Sequence, residues 1–314
     1  MTILLNVVFP VFAIILAGYL CGRRRLLGEG AGEGLNKFVY WVALPALLFR
    51  AMAAVDIEQL LNWDFIGAYV GGQALTMVLG IAIGCWFFRN TLAEGALNGM
   101  NVIYGNTGFL GIPLALAAFG SAATVPTIIT VVVNSALVVG VATVLVELSL
   151  NRASGAAELV KDVVLALAKN PMLVAPVAGI LWALAGWPLP PALDKFCELL
   201  GAAAGPCALF AIGLFLVGKP VSSGLGEVSV ALVIKLLVQP AVTWWLAVSV
   251  FDMSPLWAAV AVVMAATPTG AGSFVMAQQY GVYVQRTSSV ILLSTVFSVL
   301  TLFALLYGYD HLLI

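Results

Sequence analysis

Gly105-Asn106-Thr107-Gly108-Phe109-Leu110-Gly111-Ile112-Pro113 lies midway along an otherwise apolar stretch and makes a poor helix interior. Three glycines at about 1 kcal/mol each and a proline at about 3 make continuous helix costly by roughly 6 kcal/mol relative to alanine. Pro113 also has no N–H to return to the carbonyl of Phe109. Thr267-Pro268-Thr269-Gly270-Ala271-Gly272-Ser273 repeats the pattern late in the chain. One such interruption reads equally well as a kink or a close-packing site. Two of them, each carrying polar side chains (Asn106, Thr107, Thr267, Thr269, Ser273), point to unwound backbone that is buried in protein or lines a wet cavity.

The setting of these breaks is a bilayer. Hydrophobic residues make up 63% of the 314 and charged ones 9%, against roughly a quarter charged in soluble domains. Mean hydropathy is +1.12, which leaves no room for a separate soluble domain and excludes a cytosolic enzyme, a nucleic-acid binder and a disordered regulator. Cys21, Cys85, Cys197 and Cys207 form no CxxC pair, so neither a disulfide nor a metal site is expected. His311 is the single histidine, near the end of the sequence, so Ser-His hydrolysis and His-ligated metal catalysis lack their base or ligand. No P-loop is present, and no resident cofactor is expected. Transport, channel activity or scaffolding remain.

A spanning helix needs about 20 apolar residues. On that ruler ten segments emerge, at Thr2 to Cys21, Leu35 to Ala54, Asp64 to Phe88, Gly95 to Phe119, Ala122 to Leu148, Val163 to Gly186, Pro191 to Val217, Val228 to Val250, Pro255 to Gln279 and Thr287 to Tyr307. The first is not a signal peptide, because Arg23, Arg24 and Arg25 follow its apolar run. Odd-numbered loops hold Arg23, Arg24, Arg25, Lys37, Arg89, Arg152, Lys161, Lys169, Lys219 and Arg286, and the other side only Arg50 and Lys195. By the positive-inside rule both termini are expected outside the cytoplasm of a bacterial inner membrane.

The two breaks belong to an internal repeat. Leu44-Pro45-Ala46-Leu47-Leu48-Phe49 is echoed by Gly205-Pro206-Cys207-Ala208-Leu209-Phe210, and the offset between Pro45 and Pro206 also relates Gly111 to Gly272 and Gly120 to Gly281. Residues 1–149 form one five-helix unit of a single membrane domain, 163–314 the other. An odd helix count per unit makes the second copy inverted, the plan of many secondary transporters. The second half-helices after both breaks then aim their N-termini at the midplane, which favours an anion.

The residues resemble the auxin efflux carrier family, which includes plant PIN-type carriers and bacterial permeases for malonate or other organic acids. Asn106 through Leu114 is similar to its first crossover motif, and Pro268 through Ala277 with Tyr280-Gly281 to its second. Lys235 with Gln239-Pro240-Ala241 resembles the basic residue and Pro-Ala pair of its eighth helix. Ser273 departs, standing where PIN-type carriers have a second proline. The resemblance covers essentially the whole chain and implies a fold like the bile-acid sodium symporters. Helices one, two, six and seven then form a scaffold, and three to five with eight to ten a mobile transport group, moving in an elevator-type cycle within a homodimer. It also implies that Asn106 contacts a substrate carboxylate.

The expectation is therefore an all-α membrane protein of ten helices, a secondary carrier of a small organic anion such as a mono- or dicarboxylate, malonate or an auxin-like acid. Its substrate site comprises Asn106, Thr107, Gly108, Gly111, Pro113, Thr267, Pro268, Thr269, Gly270, Ser273 and Gln278. A uniporter or channel for small organic solutes is the alternative. Lys235 reads as either a functional charge or a snorkelling one, and Glu147 as interfacial. Gln73 and Asn134 read as interhelical packing. H+ and Na+ both stay open as coupling ion, since backbone carbonyls bind sodium without a side-chain signature. Membrane lipid and a second copy of the chain are the expected partners, with no nucleic acid. Trp41, Trp63, Trp86, Trp187, Trp244, Trp245 and Trp257 read as interface anchors.

Overall fold

The computed structural model describes residues 9–28, 30–55, 62–150, 164–165, 168–218 and 224–312. The mid-chain connection around Arg152 and Lys161, the start of the first predicted span, and Lys219 lie outside them. Among the described residues the regular structure is all helical. Five stretches, Trp63–Phe87, Thr107–Leu150, Pro191–Leu216, Leu225–Val250 and Val284–Tyr309, are long and apolar enough to cross a membrane by length and composition. Phe9–Arg23, Pro171–Leu184 and Pro255–Ala265 are shorter apolar helices.

In chain order the first half holds α1 (Phe9–Arg23), α2 (Ala31–Phe38), α3 (Leu44–Ala53), α4 (Trp63–Ala82), α5 (Leu92–Ile103), α6 (Ile112–Phe119), α7 (Thr124–Val133) and α8 (Val139–Leu150). There follow α9 (Pro171–Leu184), α10 (Pro191–Leu216), α11 (Leu225–Val233), α12 (Gln239–Trp245), α13 (Pro255–Ala265), α14 (Gly272–Tyr280) and α15 (Val284–Leu312). Several are continued through wide π turns, at Val39–Ala43, Thr107–Gly111 and Ile234–Val238 among others. Each of these three is followed two residues past its end by a proline: Pro45, Pro113 or Pro240. A proline ring clashes with the carbonyl four residues back and gives it no N–H, and a widened turn accommodates both defects.

Helix starts follow their caps. Asn62 accepts from the Phe65 amide at 2.9 Å, and Asn170 from the Met172 amide at 2.9 Å. Thr91 and Glu94 exchange side-chain and backbone bonds in a capping box that opens α5. Helix ends use glycine: Gly120 ends α6 and Gly281 ends α14, with φ of 68° and 71°, the left-handed region that a Cβ disfavours.

Two pairs of helices pack backbone to backbone. α1 lies on α10 so closely that a Cβ at Gly213 would strike the Ile15 carbonyl and stand 2.6 Å from the Tyr19 amide. α9 meets α3 likewise at Gly179, where a Cβ would lie 2.6 Å from the Phe49 carbonyl. Small residues of this kind let membrane helices approach backbone to backbone. The remaining helices surround α5 and α13, in which every residue from 95 to 103 and from 258 to 265 is buried. α13 is apolar on all sides, as such a position favours, whereas α5 also buries Asn98 and Asn101, whose amides donate to the Gly80 carbonyl and Thr287 Oγ1. Trp41, Trp63, Trp86, Trp187, Trp244 and Trp245 are exposed at the bundle surface, whereas Trp257 is half-buried.

Candidate functional site

Helix stops at Ile103 and resumes at Thr107, and again stops at Ala265 and resumes at Gly272. The two gaps lie against each other. The Asn106 amide donates to the Pro268 carbonyl at 2.7 Å, and the Gly270 amide to the Tyr104 carbonyl at 2.8 Å, so Gly105 and Thr269 face one another in an isolated antiparallel bridge. Glycine is required at this contact, because a Cβ on Gly105 would collide with Thr267 Oγ1 and come within 3.2 Å of the Met264 carbonyl.

Breaking a helix exposes the carbonyls at the end of its first half. Here side chains from the π turn at Ile234–Val238 and the start of α12 cover them. Lys235 Nζ donates to the Ala265 carbonyl at 2.8 Å and to Gln239 Oε1 at 2.5 Å, while Gln239 Nε2 donates to the Ile103 carbonyl at 3.2 Å. One Lys-Gln pair thus caps both broken helices, with the Lys235 amino group as donor at the carbonyl end of α13. Lys235 and Gln239 are fully buried. Lys235 therefore does not snorkel: its Nζ points to the breaks and is fully buried.

Other hydroxyls and amides finish the accounting. Thr267 Oγ1 donates to the Met264 carbonyl at 2.7 Å, Thr269 Oγ1 to that of Asn101 at 2.8 Å, and Ser273 Oγ to that of Gly270 at 2.9 Å. The Thr269 amide donates to Ser294 Oγ at 3.0 Å. Asn134 Nδ2 reaches the Gly105 carbonyl at 3.2 Å and Thr107 Oγ1 at 3.1 Å, and Gln73 Nε2 donates to Asn134 Oδ1 at 2.6 Å. Gln73 and Asn134 do bridge helices, and they also hold the first break in place.

Two buried acceptors, Gln73 Oε1 and Asn101 Oδ1, are left without a partner among the described residues, and a set of donors is left at the breaks. The Asn106 carbonyl closes the first turn by accepting from Leu110 and Gly111 at 3.1 and 2.9 Å, and the preceding amides of Thr107, Gly108 and Phe109 lie ahead of any intrahelical partner. The Ala271 and Gly272 amides hold the same position at the start of α14. Asn106 is half-buried, and its side-chain amide has no partner among the described residues. No Asp or Glu occurs in 100–120 or 258–284 to oppose an anion.

The structure brings Asn106, Thr107, Thr267, Pro268, Thr269, Gly270 and Ser273 together at this contact. Gly111 lies beside it, where a Cβ would come 2.7 Å from Met264 Cε. Gly108 faces Leu44 and Met172 across ordinary contact distances, and Pro113 faces Gly205. Gln278 stands apart, exposed in the last turn of α14, and Glu147 is half-buried near the end of α8. The sequence reading overlooked Tyr104, whose ring covers Gly270 and Gly272.

Two interrupted helices bonded back to back inside an apolar helical bundle are an arrangement that membrane transport proteins use. The chain matches the family model described as "Membrane transport protein" over residues 3–306 and belongs to that family, the auxin efflux carrier family. It is 35% identical over 306 residues to the "Putative malonate transporter" of Rhizobium meliloti (strain 1021), covering 96% of this chain and 94% of the relative. It is 24% identical to "Auxin efflux carrier component 8" of Arabidopsis thaliana, with 96% of each chain covered. An "Uncharacterized transporter" of Methanothermobacter thermautotrophicus is 26% identical over 302 residues, 94% of this chain and 95% of the relative. The protein is an integral, multi-pass membrane transporter and not an enzyme.

Proposed function

We propose that the chain is a secondary carrier for a small organic anion, a mono- or dicarboxylate such as malonate, which binds where the two breaks meet. The observation that carries this reading is the unopposed donor set there: the free Asn106 amide and the first-turn amides of two half-helices, with no acidic residue in either stretch. Backbone amides and positive helix ends stabilise a carboxylate. The malonate name of one relative fits that chemistry.

Ten spans in two inverted five-helix units give the two breaks equivalent places. The left-handed exits at Gly120 and Gly281, related by the repeat, support this arrangement. Movement follows from how the polar bonds are distributed. Arg50–Asp194 ties α3 to α10, Tyr40–Asn170 ties the turn at Val39–Ala43 to the start of α9, and α1 lies directly on α10 at Gly18 and Gly213. The bonds of Gln73, Asn98, Asn101, Asn134, Lys235, Gln239, Thr269 and Arg286 stay among the other helices. None of these bonds joins one group to the other. Contact between the groups is apolar, with Leu110 and Leu114 on Leu209 and Ile212, and Ile112 and Ile128 beside Leu44, Met172 and Ala208. Such a surface slides without leaving a buried donor unpaired. The six-helix group therefore carries the bound anion past the scaffold in an elevator-type cycle. Both termini lie outside the cytoplasm of a bacterial inner membrane, and the carrier works as a homodimer.

Uptake of labelled malonate into proteoliposomes tests this. Saturable uptake that is stimulated by malonate preloaded inside the vesicles supports a carrier. Linear, non-saturating flux would contradict it.

A further inference from the structure

We propose that Tyr104 is a second substrate-contact residue that selects dicarboxylates over monocarboxylates, its hydroxyl binding the carboxylate remote from Asn106. This rests on the anion-site reading above.

Tyr104 and Asn106 flank Gly105, which pairs with Thr269 in the antiparallel bridge. Both flanking residues depart from helical geometry, Tyr104 at φ −74°, ψ 87° and Asn106 at φ −75°, ψ 56°, and they stand on either side of the bridge at the same break. Thr269, opposite Gly105, turns its hydroxyl to the Asn101 carbonyl. The glycine positions place the Tyr104 ring: Gly270, opposite Tyr104, is where it sits, its Cε1 2.9 Å from the place a Cβ would take. At Gly272 the Tyr104 hydroxyl oxygen is 2.6 Å from the corresponding place. The absence of two Cβ atoms therefore makes the bed in which the ring lies. The Gly270 amide, 2.8 Å from the Tyr104 carbonyl, anchors its base.

Neither polar head is engaged. The Tyr104 hydroxyl, like the Asn106 amide, has no hydrogen-bond partner among the described residues, and both residues are only partly buried. Most other polar side chains around the breaks are buried and bonded: Thr107, Asn134, Lys235, Gln239, Thr267, Thr269 and Ser273. The Tyr104 hydroxyl lies at Gly272, the start of the second half-helix, and Asn106 lies at the start of the first, so the two free donors suit a short molecule with an acceptor at each end. A phenol hydroxyl donates one charge-assisted bond to a carboxylate, and a monocarboxylate presents nothing there.

The test is calorimetric titration of purified wild type, Tyr104→Phe and Asn106→Ala with malonate, succinate, acetate and propionate. Phenylalanine keeps the ring on its glycine bed and removes only the hydroxyl. The expected result is that Tyr104→Phe weakens the better-bound diacid at least tenfold and leaves the monoacids within twofold, whereas Asn106→Ala weakens both classes. Unchanged diacid affinity in Tyr104→Phe, or an equal loss for diacids and monoacids, overturns the proposal while Asn106→Ala still reports on the site. Full binding by Asn106→Ala, or none by wild type, counts against the anion site itself and takes the proposal with it.

Discussion

The backbone amide of Asn106 donates to the carbonyl of Pro268 at 2.7 Å, so the residue bearing the free amide of the first break is positioned by the proline of the second. Pro268 lacks an N–H, and its carbonyl would be an orphan acceptor in the gap. Each interruption thus satisfies backbone groups of the other, and neither is expected to keep its shape alone.

Alanine at three glycines separates tight from loose contacts. Gly105→Ala meets Thr267 Oγ1, and Gly272→Ala places a methyl 2.6 to 2.8 Å from the hydroxyl oxygen and two ring carbons of Tyr104. Each is expected to destabilise by about 1–3 kcal/mol through overpacking. Gly108→Ala finds its nearest neighbours at 3.8 and 3.9 Å and is expected within about 0.5 kcal/mol of wild type. Thermal unfolding in detergent ranks the three; a Gly108→Ala loss as large as the other two would contradict the packing described.

Gln239→Leu removes an acceptor from the Lys235 amino group and the donor to the Ile103 carbonyl, both buried. Leaving those groups unpaired is expected to cost about 2–4 kcal/mol. The same measurement checks it, with Gln279→Leu, at an exposed position, expected to be silent.

Crosslinking distinguishes sliding groups from a rigid bundle. Pro113 and Gly205 face one another across the apolar contact, with 3.4 Å between Pro113 Cγ and the place of a Gly205 Cβ. With the native cysteines replaced by serine, a short thiol-reactive bridge between cysteines at 113 and 205 is expected to abolish uptake, and reduction to restore it. The same bridge between positions 50 and 194, which are joined by an ion pair within one group, is expected to leave uptake intact. Full transport by the bridged 113–205 protein would exclude relative movement of the groups.

The interruptions were legible because glycine and proline penalise helix locally, wherever the chain later goes. Asn106 was legible for the same reason, lying inside such a stretch. The Lys235–Gln239 cap was not: its acceptors, Ala265 and Ile103, come from two other helices 30 and 136 residues away, and sequence spacing carries no trace of that meeting. Hydropathy alone therefore left snorkelling open for Lys235. Tyr104 was missed because an aromatic next to a break reads as packing, and only the empty Cβ positions of Gly270 and Gly272 show where its ring goes. Gln278 was drawn into the site by its proximity to Ser273 in sequence. Helix periodicity turns it outward, while Ser273, Met276, Ala277 and Tyr280 take the buried face of α14.

The central claim is that the meeting of the two breaks binds an organic anion through Asn106. Titrating wild type and Asn106→Ala with malonate and with its neutral diamide, malonamide, tests it most directly. The prediction is that wild type binds malonate at least tenfold more tightly than malonamide, and that Asn106→Ala loses most of the malonate affinity with an unchanged melting temperature in the absence of ligand. Equal affinity for acid and amide, or malonate binding that survives intact in folded Asn106→Ala, would contradict it.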